Sequence, residues 1–125
     1  MLEEKEKLKI TIKGIIPSKK NSKRIVGWGK KARLITDPKI QKWSNDVQKS
    51  LIGLPKILGP VKIEVVIYNP DLRKRDLDNQ LCTINDIIKD ILIEEDDGKV
   101  LQDIHIRWGG VDKENPRAEI IISSI

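Results

Sequence analysis

The sequence predicts one α+β domain, a mixed β-sheet with two main helices packed on one face. Three observations predict it. Apolar residues alternate with polar ones in three stretches, Leu8–Ile12, Val61–Ile67 and Leu101–Trp108, as in half-buried strands. Two other stretches, 38–51 and the one opening at Asp76–Asn79, carry helical start signals or spacing instead. The resulting order is strand, hairpin, helix, strand, helix, strand, strand, with no repeat and no low-complexity linker. At 125 residues the chain suits one domain, 1–125, with residues 1–6 as a charged N-terminal extension.

The elements follow in order. Leu8, Ile10 and Ile12 define a first strand with a lysine-rich outer face, and Gly14 and Pro17 mark its end. PSKKNSKR, 17–24, is a basic loop, and VGWGKKAR, 26–33, reads as a short hairpin with glycines at the bend. Asp37-Pro38 starts a helix running to about Leu51, because proline fits a first helical turn. Gly53, Pro55, Gly59 and Pro60 form a connector into the strand VKIEVVIY. In the next helix Leu81, Ile84, Ile88 and Ile91 share one face and Ile87 widens it, so the helix is expected to end near Ile93. Asp78, Cys82, Asp86 and Lys89 fall on another side. In LQDIHIRW the residues Ile104, Ile106 and Trp108 are expected to point inward, and RAEIIISSI closes the chain as a strand.

Composition narrows the function. No apolar run approaches the roughly 20 residues of a membrane span. The first ten residues lack an apolar signal core, so a cytoplasmic setting is expected. Cys82 is the sole cysteine, which excludes an intrachain disulfide and a cysteine-rich zinc site. The net charge of +5 is unevenly spread. Residues 18–42 hold nine Lys or Arg and one Asp, whereas residues 76–97 hold eight acids and one lysine. A basic arm with a separate acidic centre suits a protein that grips a polyanion and recruits cations to it. Charge spread for solubility is the alternative.

The acidic groups are DLDN, 76–79, directly behind the basic run Arg73–Arg75, and EEDD, 94–97. Taken alone, DLDN reads as helix capping and EEDD as a solvated turn. If Asp76, Asp78 and Asp97 converge, they form a hard-oxygen site for Mg²⁺ or Mn²⁺, because clustered carboxylates need neutralising cations. A helix of about 15 residues is about 22 Å long, so its ends do not meet and convergence requires the chain to fold back.

With these pieces in order, the sequence resembles the RusA family of Holliday-junction resolvases. PSKKN is similar to the family's early Pro-Ser loop, and KRDLDN to its basic-Asp-x-Asp-Asn signature. Asp86 stands where the family has a further aspartate. DDGKVLQD carries the Asp-Asp pair before a strand, and PRAEIII resembles the closing Arg-x-Glu-Ile strand. The resemblance implies a homodimeric Mg²⁺-dependent endonuclease, with Mn²⁺ as substitute, that cuts four-way or branched DNA by paired phosphodiester hydrolysis. It implies that Asp76, Asp78 and Asp97 are the catalytic, metal-binding residues and that Asp96 supports them. The family usually has a lysine where this chain has Cys82, a position expected to be a small, half-buried helix residue. Lys99 and Arg75, each near a key aspartate in sequence, are the candidates to replace that charge. Loss of the lysine also admits a junction-binding relative with weakened catalysis, and a protein-interaction unit is the reading if the acids do not converge.

Lys19, Lys20, Lys23, Arg24, Lys30, Lys31 and Arg33 of the basic loop, with Arg73 and Lys74, are the expected DNA contacts. Trp28, between Gly27 and Gly29, is expected to pack in the core or on its hairpin, with stacking on an unpaired base as the alternative. Trp43 and Trp108 fit core positions. His105, the only histidine, is expected on an outer face with Asp103 and Arg107.

Overall fold

A computed structural model describes residues 6–18 and 23–125. The order is β1 (Lys7–Lys13), β2 (Lys23–Val26), β3 (Arg33–Thr36), α1 (Pro38–Leu51), β4 (Val61–Asn69), α2 (Leu77–Ile88), β5 (Leu101–Val111) and β6 (Arg117–Ser124). The main sheet has the order β1-β6-β4-β5, and β2 with β3 forms a separate two-stranded hairpin. β6 runs antiparallel to both β1 and β4, while β4 and β5 are parallel. The sheet is therefore mixed, and α2 is the crossover that a parallel pair requires.

Period two decides the core. Val61, Ile63, Val65 and Ile67 of β4 are buried on one face, in register with Ile122, Ile120 and Ala118 of β6. Ile84, Ile87 and Ile88 of α2 pack into the same cluster, and Trp43, Val47 and Leu51 of α1 join it. The opposite face stays polar. There Arg117 lies 4.0 Å over the Tyr68 ring and bonds Asp112 at 2.7 Å and Glu119 at 3.1 Å. The Arg-x-Glu of the last strand thus ties its start to the loop before it. His105 bonds the Asp103 carboxylate at 2.9 Å on this exposed side, as expected.

Two expectations need correction. α2 ends at Ile88 rather than near Ile93. Lys89 leaves helical geometry and Asp90 takes a φ of 65°. The Asp90 amide then donates to the Ile93 carbonyl at 2.8 Å, closing a tight return. Leu92 and Ile93 stay fully buried, so the apolar spacing continues past the helix that it suggested. In β5, the register with Ile63, Val65 and Ile67 directs Ile104, Ile106 and Trp108 to the core side. β5 is an edge strand, however, and Ile104 is 42% and Trp108 48% exposed. Trp108 is therefore not a core residue, whereas Trp43 does pack against the core.

Candidate active site

β4 delivers the chain to the site at Asn69, which is buried. The next turn folds around Asp71, whose carboxylate accepts the Arg73 amide at 2.9 Å and Arg75 Nη1 at 2.7 Å. The Arg75 guanidinium beside it holds the Asp71 carboxyl below its ordinary value, with the Arg73 amide adding to the effect. Arg75 is thereby committed, with a side chain only 16% exposed. Arg73 and Lys74 remain exposed.

Asp76 occupies the N-cap position of α2, yet its side chain makes no capping bond. Among the described residues its side chain accepts one hydrogen bond, a long one from Asn79 Nδ2 at 3.5 Å. Asp78 is exposed in the first turn and makes no hydrogen bond or ion pair with any described residue. The capping reading of DLDN therefore fails for Asp76: the backbone does not use that carboxylate. Both carboxylates sit at the positive end of the helix dipole, which favours anionic groups there. Cys82 and Asp86 continue the Asp78 stripe along α2 and are exposed, so Cys82 is not half-buried as expected.

Ile15–Ser18 face this turn across a cleft of about 260 Å³, lined also by Lys74, Arg75, Asp76, Asn79 and Gln80. Two α2 side chains hold that loop. Gln80, 2% exposed, donates from Nε2 to the Ile16 carbonyl and to Asn69 Oδ1, each at 3.0 Å. Thr83 Oγ1 donates to the Pro17 carbonyl at 2.7 Å. The helix carrying Asp78 is thus bonded to the Pro-Ser loop that leads into the basic arm. Sequence reading missed both residues, because an isolated Gln and Thr carry no local signal for partners 64 and 66 residues away.

Asp97 lies elsewhere. Its backbone carbonyl accepts the amides of Val100 and Leu101, and its carboxylate accepts the Lys99 amide at 2.9 Å. This caps the turn into β5, in line with the solvated-turn reading of EEDD. Leu101 pairs with Val61 at the start of β4, whereas Asp76 follows the end of β4. The length of β4 separates them, about 26 Å at about 3.3 Å per residue. Among the described residues no three His, Cys, Asp or Glu side chains gather closely enough to hold a metal ion. Asp76 and Asp78 have the oxygen chemistry and the freedom to ligate a hard cation, but Asp97 of the same chain does not complete the set. Asp96 and Lys99 stay with Asp97, so Lys99 does not reach Asp78 within one chain.

Among the expected DNA contacts, Lys30, Lys31 and Arg33 are exposed at the bend of the β2–β3 hairpin. Lys23 and Arg24 lie on β2. Lys19 and Lys20 fall outside the described residues.

A small α+β domain with a basic hairpin and uncapped carboxylates behind a basic turn has the parts of a nucleic-acid enzyme. The family model for endodeoxyribonuclease RusA matches residues 14–123, and the chain belongs to that family. No curated protein matches it. Resolvases of the family act on branched DNA and are generally dependent on divalent metal. No helix among the described residues is long and apolar enough to cross a membrane.

Proposed function

We propose that the protein is a Mg²⁺-dependent, structure-selective endonuclease that resolves Holliday junctions by paired incisions, acting as a homodimer. The observation that carries this reading is the pair Asp76 and Asp78, held at a helix start with neither side chain engaged by the backbone. Carboxylates that the backbone does not engage, beside Arg73 and Lys74, suit a cation held against a phosphodiester. When bound, such a cation supplies Lewis acidity at the phosphate and lowers the pKa of an attacking water.

The chain's own residues do the rest. Lys74 and the α2 N-terminus attract the scissile phosphate into the cleft. Arg75, pinned by Asp71, shapes the turn rather than roaming to the DNA. Gln80 and Thr83 fix the Pro-Ser loop opposite. Asp97 enters the site as Asp97 of the partner subunit. Three features support this arrangement. Asp97 is a strand's length from Asp76 within one chain. The acidic end Glu94–Asp97 complements the basic end Arg73–Arg75, so a two-fold axis that sets one against the other attracts. Between the two ends, the edge strand β5 leaves Ile104, Trp108 and Val111 exposed, apolar surface for a second copy to cover. Two sites then act together on the two strands of a junction.

The test is cleavage of a synthetic four-way junction in Mg²⁺ and in Mn²⁺ by the wild type and by Asp78→Asn. Metal-dependent paired nicking that disappears in Asp78→Asn, with junction binding retained, is expected. Binding without cleavage by the wild type in both metals removes the nuclease reading.

A further inference from the structure

Trp28 is 92% exposed at the bend of the β2–β3 hairpin. It does not pack on the hairpin, contrary to the sequence expectation. The bend that carries it is tightly built. Val26 pairs with Arg33, the Lys31 amide donates to the Trp28 carbonyl at 3.0 Å, and the Ala32 amide to Gly29 at 3.1 Å. Gly27 has a φ of 91°, and a Cβ there would meet the Lys31 carbonyl oxygen at 2.7 Å, so glycine is required. Gly29 also has positive φ, at 55°. Two glycines thus allow the chain to turn on either side of a tryptophan in extended geometry, φ −129° and ψ 140°. Lys30, Lys31 and Arg33 stand exposed beside it.

A tryptophan side chain offers about 150–250 Å² of contact surface. Here the fold leaves nearly all of it in water, on a preformed turn among cations. That combination of aromatic platform and basic surround is the one that binds unpaired bases. We infer that Trp28 is a stacking finger that recognises the branch point of DNA, taking the face of a base left without a stacking neighbour there. This rests on the proposed junction-resolving function and adds a basis for choosing a branch over a duplex. Phosphates are present on both, so Lys30, Lys31 and Arg33 do not discriminate. A base face is covered in continuous duplex, where opening a step costs a few kcal/mol, and is exposed where the arms of an open, unstacked junction meet.

The test compares wild type, Trp28→Ala and Trp28→Tyr, in EDTA so that no strand is cut. Affinity is measured for a fixed four-way junction and for a linear duplex of one arm's sequence, with 2-aminopurine at the branch. Stacking contributes about 1–3 kcal/mol per base, so Trp28→Ala is expected to weaken junction binding about 5- to 150-fold. Duplex binding stays essentially unchanged, Trp28→Tyr retains most of the affinity, and the wild type but not Trp28→Ala quenches 2-aminopurine. If the wild type prefers the junction and Trp28→Ala prefers it equally, the stacking finger is wrong and the resolvase reading stands. If Trp28→Ala loses junction affinity only because sedimentation shows it has become monomeric, Trp28 is an interface residue and the inference is overturned. If the wild type itself binds junction no better than duplex, the resolvase reading fails and takes this inference with it.

Discussion

Replacing Cys82 by lysine restores a charge at the position where the family usually has one, and the structure sets its size. Cys82 is exposed one helical turn beyond Asp78, on the same stripe of α2. Side chains so spaced have Cβ atoms about 5–6 Å apart. Taking that spacing, about 6 Å, as the separation of a lysine ammonium there from a phosphate held at Asp78 sets the scale of the effect. Coulomb's law gives about 0.7 kcal/mol at that distance with water-like screening, and about 2.8 kcal/mol at an effective dielectric of about 20. If this attraction acts on charge that develops in the transition state, the rate gain is about threefold to about a hundredfold. The open surface favours the lower end, and DNA covering the site moves it upward. Because position 82 is exposed, a longer side chain extends into solvent and thermal stability should not change. The assay is single-turnover cleavage of a four-way junction at saturating protein, with Cys82→Gln as the uncharged control. Cys82→Lys is expected to be at least threefold faster than both wild type and Cys82→Gln. Equal rates for all three would refute the reasoning, and a gain shared by Cys82→Gln would show that charge is not its cause.

Other outcomes follow from the same geometry. Gln80→Leu removes both donors that hold Ile16 and Asn69 and leaves their oxygens unpaired. Part of the cost is offset because the buried Gln80 Oε1 has no partner among the described residues. A net loss of about 2 kcal/mol in urea denaturation is expected, and an unchanged midpoint would remove the clamp from the account of the loop. Asp71→Asn tests the turn that pins Arg75. The folded Asp71 carboxyl lies below its ordinary value, so its contribution is present above the unfolded value and lost as pH falls through the folded one. The wild type should be the more stable near neutrality, with the gap closing below about pH 4; a gap independent of pH contradicts it. Lys30→Ala and Lys31→Ala should each weaken junction and duplex binding alike and lower the slope of log K against log salt by about 1. A loss confined to the junction would assign them to branch recognition instead.

Much of the fold was legible because local pattern and tertiary role agree. The alternation in β4 and β6 is the core pattern itself, and Asp37-Pro38 does open α1, with the Asp37 side chain accepting the Lys39 amide at 2.9 Å. Legibility stopped where neighbours decide. Ile91, Leu92 and Ile93 look like more helix because burial sets their identity, while the positive φ at Asp90 sets the stop. Ile104 and Trp108 have the right direction but an edge strand's exposure, which no alternation reveals. Within the site, the basic turn and DLDN were visible, but not that the Asp76 carboxylate is left out of capping. The place of Asp97 follows from the parallel pairing of β4 and β5 across α2, which sets a helix start and the next strand's start at opposite ends of the sheet. Strand pairing is a property of the assembled sheet, so the sequence left convergence open.

The most direct measurement is subunit complementation. Asp78→Asn and Asp97→Asn, each purified alone, are mixed under conditions that exchange subunits and tested on a four-way junction in Mg²⁺. If Asp97 of the partner subunit completes the Asp76–Asp78 site, the mixed dimer has one intact site and one doubly damaged site. Each variant alone should be inactive and the mixture should nick single strands without pairing the cuts. If the mixture is as inactive as its components while the wild type cleaves, Asp97 of the partner subunit does not complete the site and the composite arrangement is wrong.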